Sequence, residues 1–282
     1  MDKNYVYVGM LVDFETYDCL VLDKDKQSCS LLRIRTRERI DGVGYSELKP
    51  IYEGDASGFN RKMRSLGSTQ TAMFSRNEDK TYTFEDGSHV WFTSDTHFFH
   101  DNIIRFCDRP FASVEEMNEV IIKAWNDVIQ PEDTVFHLGD FCWGGSAAWV
   151  DILKRLNGHI HLIVGNHDVK NLRPFYLNFF ESVSFQRQIT VEGRKLYLNH
   201  YPFLTWGGIW RRQEDQVWEL FGHVHSKGGS GGADEGRLQY LLPIQYDVGV
   251  DNNNYKPLNF KDVQRIISQR IEEYNQKEAT EK

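Results

Sequence analysis

From residue 81 onward the chain alternates short apolar runs with longer amphipathic stretches. The runs in HVWFTS (89–94), TVFHLGD (134–140), HIHLIVGNHD (159–168), VWELFGHVH (217–225) and IQYDVGVD (244–251) predict short buried strands. SVEEMNEVIIKAWNDVI (113–129) predicts a helix: Ser113 and Glu116 read as a capping box, Val114, Met117, Ile121, Trp125 and Val128 share one face, and Pro131 follows the end. SAAWVDILKRLNG (146–158) predicts a second, with Ser146 as N-cap and Gly158 just past its end. FKDVQRIISQRIEEY (260–274) predicts a closing helix. Hairpins are expected around Asp86-Gly87 in TYTFEDGSHVWFTS and around Glu192-Gly193 in FQRQITVEGRKLYLNH. The Gly-rich SKGGSGGADEG (226–236) reads as a loop that could move over a neighbouring site.

The first 53 residues look different. YVYVGMLVDF and CSLLRIRT predict strands, DKDK (23–26) is a turn signal, and no helix-length amphipathic stretch occurs, so a small β-rich module, such as a little barrel, is expected. The arginines of RIRTRER (33–39) read as a solvated strand face. Residues 54–80 are polar and rich in Gly, Ser and Asn and read as a linker, leaving 81–282 as the larger domain. Strands that alternate with helices early and pair as hairpins late predict a mixed α/β sheet architecture with helices outside.

Composition narrows the function classes. The net charge of −8 supplies no global basic field, which disfavours long nucleic acid and anionic membranes as partners. MDKNYVYVG is acidic and lacks a long apolar region, so no secretory signal is expected. Cys19, Cys29, Cys107 and Cys142 form no Cys-x-x-Cys pair, and reduced thiols in a cytoplasmic protein are the expectation.

The candidate chemistry sits at strand ends. Asp95 and His97 follow WFTS, Asp140 ends TVFHLGD, Asn166, His167 and Asp168 end HLIVGNHD, His200 ends LYLNH, and His223 and His225 end WELFGHVH. In open α/β sheets, ligands bind outside the carboxyl ends of strands. Carboxylate, imidazole and one amide suit Mn, Fe or Zn, with Mn preferred, rather than Ca. Seven such groups exceed one tetrahedral ion and fit two ions sharing a carboxylate. Two ions about 3.5–4 Å apart can clamp both oxygens of an in-line displacement.

The ordered set Asp-x-His, Gly-Asp, Gly-Asn-His-Asp, His and Gly-His-x-His resembles the calcineurin-like metallophosphoesterase superfamily over residues 89–255. SDTHFFHDNIIRFCDRPF and DVGVDNNNYKPLNF are similar to a bacterial and phage subgroup. The resemblance implies a four-layer α-β-β-α sandwich with a dinuclear centre between its sheets. It implies that Asp95, His97 and His225 hold one metal, that Asn166, His200 and His223 hold the other, and that Asp140 bridges. A metal-bridging hydroxide would attack phosphorus, His167 would protonate the leaving oxygen, and Asp168 would orient its neighbours. The substrate would be a phosphate mono- or diester, with a nucleotide or small metabolite favoured over long nucleic acid.

Other residues carry weaker cases. His100 lies close enough in sequence to reach the site as a phosphate-binding cation or acid, or else it starts a helix on the surface. His159 and His161 repeat the Gly-His-x-His spelling but open a strand, so they read as sheet residues, as does His137. His89 has no case for a role. Arg105, Arg211 and Arg212 read first as structural or surface residues. FCWGG after Asp140 lacks the Asn or Asp-Arg-Gly extension of protein Ser/Thr phosphatases, and Phe99 stands where the subgroup often has Gly. Two alternatives stay open: a non-catalytic binding protein on the same scaffold, and a dinuclear hydrolase of non-phosphate esters or amides.

Overall fold

The computed structural model describes residues 11–15, 17–33, 38–50, 82–173, 179–226 and 240–280. The expected linker, the centre of RIRTRER and the Gly-rich loop from 227 onward lie outside the described residues.

The N-terminal part is a five-stranded antiparallel sheet built from β1 (Leu11–Phe14), β2 (Tyr17–Lys24), β3 (Ser28–Arg33), β4 (Arg39–Gly44) and β5 (Lys49–Pro50), in the order β4-β3-β2-β1-β5. Its edge strands, β4 and β5, do not pair with each other among the described residues. The DKDK turn forms because Asp25 Oδ1 accepts from the backbone N–H of Gln27 and Ser28, at 2.6 and 2.8 Å. Val12, Cys19, Val21, Leu31 and Val43 make this sheet's own buried cluster.

Two further five-stranded sheets form the larger part. One has the order β10 (Ser182–Ser184), β9 (His159–Ile163), β8 (Thr134–His137), β7 (Val90–Thr93), β15 (Leu258–Asn259), and only β15 runs antiparallel to its neighbour. The other has the order β14 (Gln245–Asp247), β13 (Trp218–Phe221), β12 (Arg194–Asn199), β11 (Gln186–Val191), β6 (Tyr82–Phe84). The β11–β12 hairpin is antiparallel, as its sequence predicts, and Glu192 and Gly193 both take positive φ in the turn, 49° and 77°.

Strand periodicity sorts side chains to the two faces. Along β8, Val135 joins the helix-side core, while Phe136 joins the core between the sheets. Phe92, Phe136 and Ile163 from one sheet meet Ile189, Leu196 and Leu220 from the other. The helices are α1 (Asp101–Phe106), α2 (Val114–Asn126), α3 (Ser146–Arg155), the single turn α4 (Asp168–Asn171) and α5 (Phe260–Thr280). Met117, Ile121 and Trp125 of α2 and Trp149 and Leu153 of α3 pack in the outer core; truncating either Trp to Ala would cost about 3–5 kcal/mol. Phe260, Val263 and Ile267 of α5 join the inner core. This is the sandwich that the resemblance implies, preceded by a small β-rich sheet.

Three local expectations are corrected. Asp86-Gly87 is not a hairpin turn: β6 pairs in parallel with β11, and β7 pairs with β8 and β15, so the segment crosses from one sheet to the other. Gly87 is required by packing, because a Cβ there would lie 2.3 Å from Phe260 Cδ1, and its N–H is satisfied by Glu192 Oε1 at 2.8 Å. Ser146 is not the N-cap of α3; Gly145 is, and Ser146 is the first helical residue. The capping box of α2 is offset. Ser113 Oγ accepts from Glu116 N at 3.2 Å, but the Glu116 carboxylate returns to the N–H of Ala112, at 2.6 Å, instead of Ser113.

Candidate metal centre

The parallel strands β7, β8 and β9 of one sheet and β12 and β13 of the other end in loops that meet. The main chain ties them together. Asp95 N donates to Gly139 O (2.9 Å), His97 N to Asp140 O (3.0 Å) and Gly222 N to His200 O (2.9 Å). The approach is too close for side chains at two glycines. A Cβ on Gly165 would lie 2.2 Å from Asp140 Oδ1, and one on Gly222 would lie 2.0 Å from Ser94 Oγ.

The same loops hold the backbone in a region that non-glycine residues rarely occupy. Asp95, His97, Asp140, His223 and His225 all have φ between 49° and 72°, as does Phe99 at 61°. Five of the seven candidate ligands therefore sit in left-handed conformations. Phe99 thus takes a backbone conformation that glycine adopts without a Cβ penalty.

Two clusters result, each with its ligand atoms within 4.8 Å of one another: Asp95, His97 and His225, and Asp140, His200 and His223. Asp140 joins them. Its Oδ2 lies 3.4 Å from His200 Nε2, 3.6 Å from His97 Nε2 and 3.8 Å from His167 Nε2. Asn166 Oδ1 is 3.0 Å from His200 Nε2, which places it in the second cluster. His200 Nδ1–H donates to Leu138 O at 2.7 Å, leaving Nε2 to face the site.

Asp95 Oδ1 and His97 Nε2 are buried and have no hydrogen-bond partner. Buried orphans of this kind are costly in a protein interior, and both atoms point into the first cluster, where a cation would satisfy them. The donor set of carboxylates, imidazoles and an amide fits a divalent transition metal.

Electrostatics follow burial and neighbours. Burial, with the charges of His225 and Arg109 beside it, holds His97 well below the usual histidine pKa. Burial opposes ionisation of Asp140, but the His200 hydrogen bond and charge and the His167 N–H outweigh it and lower its carboxyl pKa. Burial likewise opposes charge on His200, yet Asp140 and Asp95 together push it up to about 9. Asp168 is fully buried and accepts from the N–H groups of Asp140, Phe141 and Gly165 at 2.8–2.9 Å. Burial and the charge of Asp140 raise its pKa to about 7. It braces the two loops and does not point a free oxygen at the clusters.

His100 is buried, not on the surface. It precedes α1, stacks flat on Trp143 (4.3 Å, 8°) and lies 3.2 Å from His97, Nδ1 to Nδ1. His137 is buried and outside both clusters, touching Thr96 Oγ1 and accepting from Gly139 N. His159 pairs with Glu181 and His161 with Ser182, as sheet residues. His89 is exposed against Asp133. Arg105, Arg211 and Arg212 are exposed, and among the described residues Arg105 reaches Asn102 and the face of Phe106.

Sequence reasoning missed Arg109 and Asp251. Arg109 makes two hydrogen bonds to Asp251, both 2.8 Å, and donates to the carbonyls of Asp95 (2.7 Å) and Thr96 (3.1 Å). Asp251 Oδ2 also accepts from His225 Nδ1 at 2.8 Å, turning Nε2 toward Asp95. Both residues lie inside the quoted stretches CDRPF and DVGVD, but only contact across 142 positions reveals their role. Cys107 joins His225 and Asp251 in a third cluster. Its Asp251 is already saturated by Arg109, so that group supports His225.

The chain belongs to the calcineurin-like phosphoesterase family, whose model matches residues 88–258. Family membership defines a metal-dependent phosphoester hydrolase. It is similar to an uncharacterised protein of Methanocaldococcus jannaschii, 34% identical over 182 residues, covering 63% of this chain and 90% of that one. It is also similar to the gene 66 protein of Mycobacterium phage L5, 30% identical over 164 residues, covering 49% of this chain and 78% of the phage protein. Among solved structures, a protein of unknown function from Aquifex aeolicus is 27% identical with a TM-score of 0.47, covering 63% of this chain and 98% of that one. No helix among the described residues is long and apolar enough to cross a membrane.

Proposed function

We propose that this chain hydrolyses a phosphate mono- or diester with two divalent cations, Mn preferred over Fe or Zn. Asp95, His97 and His225 hold one ion, Asn166, His200 and His223 the other, and Asp140 touches both. The observation that carries this reading is the convergence of three imidazole Nε2 atoms on Asp140 Oδ2, within 3.4–3.8 Å.

When bound, the ions supply Lewis acidity to the phosphoryl oxygens and lower the pKa of the attacking water. The side chains do the rest. His200, with Nδ1–H committed to Leu138 O, presents Nε2 in one tautomer. His167 is half-buried beside Asp140 and anchored by its own N–H to Asp140 Oδ1 at 2.9 Å; it delivers a proton to the leaving oxygen. His100, between His97 and Trp143, backs this proton site. Asp168 keeps the Gly139-Asp140 and Gly165-Asn166 loops in register. We also take the antiparallel sheet of residues 11–50 as a separate module and a nucleotide or small metabolite as the substrate.

The test is metal analysis together with turnover of bis(p-nitrophenyl) phosphate and p-nitrophenyl phosphate by Mn-loaded protein. Wild type should bind about two ions per chain, and Asp140→Asn should lose ions and all turnover. Undiminished turnover in Asp140→Asn would overturn the reading.

A further inference from the structure

Trp143 stands beside the candidate centre as an aromatic platform. Its indole stacks on His100 with ring centroids 4.3 Å apart and planes at 8°. It meets His167 at 4.8 Å and 61°. His100 and His167 are themselves only 5.9 Å apart, a separation too short for the two imidazoles to sandwich the indole. His100 therefore covers one face, His167 lies toward the ring's edge, and no other ring among the described residues stacks on the opposite face. Trp143 is 42% exposed, although its neighbours Phe141 and Cys142 are buried.

The platform is fixed in place. Trp143 N donates to Phe98 O at 2.8 Å, and Phe98 bridges Cys142 in parallel. A Cβ on the adjoining Gly144 would lie 2.4 Å from Ala148 Cβ, so the backbone behind the ring sits tightly on α3. A ring on an anchored backbone, already stacked on one face by His100, loses less freedom on binding than a free side chain and is a favourable stacking surface.

We infer that the substrate carries a planar aromatic ring, of nucleobase type, on its leaving side, and that Trp143 stacks on it. This rests on the reading above, in which His167 protonates the leaving oxygen: whatever leaves from that oxygen departs past the indole that His167 touches. Trp143 is thus a specificity-determining residue.

The experiment compares two ligands that share phosphonate and sugar and differ only in the base. These are the 5′-methylenephosphonates of adenosine and of ribose, whose P–C bond resists hydrolysis. Calorimetric binding to the Mn-loaded 282-residue chain should favour the adenosine compound by roughly fivefold to a hundredfold, the range for one base on an aromatic ring. Trp143→Ala should bring the two affinities within about twofold, and Trp143→Phe should retain most of the gap. Thermal melts check that both variants fold, and Trp143→Leu, which keeps bulk without a π face, replaces Ala should that variant not fold. Equal affinities in wild type, or a gap that survives in Trp143→Ala or Trp143→Leu, would overturn the inference. Base-dependent binding that Trp143→Ala abolishes, without turnover of any phosphate ester, sinks the enzymatic reading and with it the leaving-side placement, keeping only the stacking contact; turnover without base dependence overturns the stacking and leaves the enzymatic reading standing.

Discussion

Arg109 and Asp251 form a fully buried ion pair, joined by two hydrogen bonds of 2.8 Å, that holds the first ligand cluster from behind. The guanidinium grips the carbonyls of Asp95 and Thr96, and the carboxylate grips His225. Removing one member of such a pair strands the other charge in the interior. Arg109→Met is expected to destabilise the protein by about 3–5 kcal/mol, measured by urea unfolding. Asp251→Asn keeps the shape, leaves Arg109 unpaired and so is destabilised as well, and loses the charge behind His225. Its affinity for the first ion should fall about 10- to 100-fold in a metal titration, with the second site much less affected.

His167 makes a different prediction, because its proposed task is proton delivery. His167→Asn should keep its metal content and lose about 10²–10⁴-fold in kcat on esters of poor leaving groups. Its loss on p-nitrophenyl esters should be far smaller, since that leaving group departs without a proton. Equal losses on both kinds of ester would remove His167 from the acid's role.

Glu219 gives a pH signature away from the clusters. It is fully buried on β13, where Phe203 N–H and the Gln245 amide donate to its carboxylate. Burial outweighs these bonds and raises its pKa to about 8. The folded state therefore keeps a proton that the unfolded chain releases above the ordinary glutamate pKa, and stability falls as pH rises through the window up to about 8. One such group contributes a slope of at most about 1.4 kcal/mol per pH unit. Urea titrations of metal-free protein should show a shallower decline in Glu219→Gln than in wild type over that window. An unchanged slope would mean that Glu219 is ionised in the fold.

Gly222 tests the close approach of the two sheets. In Gly222→Ala the new Cβ meets Ser94 Oγ and Asp95 Oδ2, 2.0 and 2.3 Å from its ideal position. Overpacking of this kind costs about 1–3 kcal/mol. The melting temperature should fall, and ion binding at the cluster that uses Asp95 should weaken more than at the other.

Much of the fold was legible in local pattern. The face of α2, the β11–β12 hairpin and the strands ahead of Asp140 and His167 follow from periodicity and turn chemistry that act over a few residues. The Asp86-Gly87 crossing was misread for the same reason. An Asp-Gly pair between apolar runs looks the same whether the strands pair with each other or each finds a partner far along the chain, as β6 finds β11 and β7 finds β8 and β15. His100 was undecidable because its burial depends on Trp143, which is distant in sequence and adjacent in space.

The amino-acid sequence by itself determined which residues could do metal chemistry here, and in what order they arrive at strand ends, because ligand type and strand periodicity are properties of short segments. Only the tertiary structure decided that His97, His167 and His200 converge on Asp140, that Arg109 and Asp251 stand behind Asp95 and His225, and that five of the candidate ligands adopt left-handed backbone. Those facts arise where two sheets press their loops together, and a backbone conformation that is costly in isolation is held there by contacts between segments far apart in the chain.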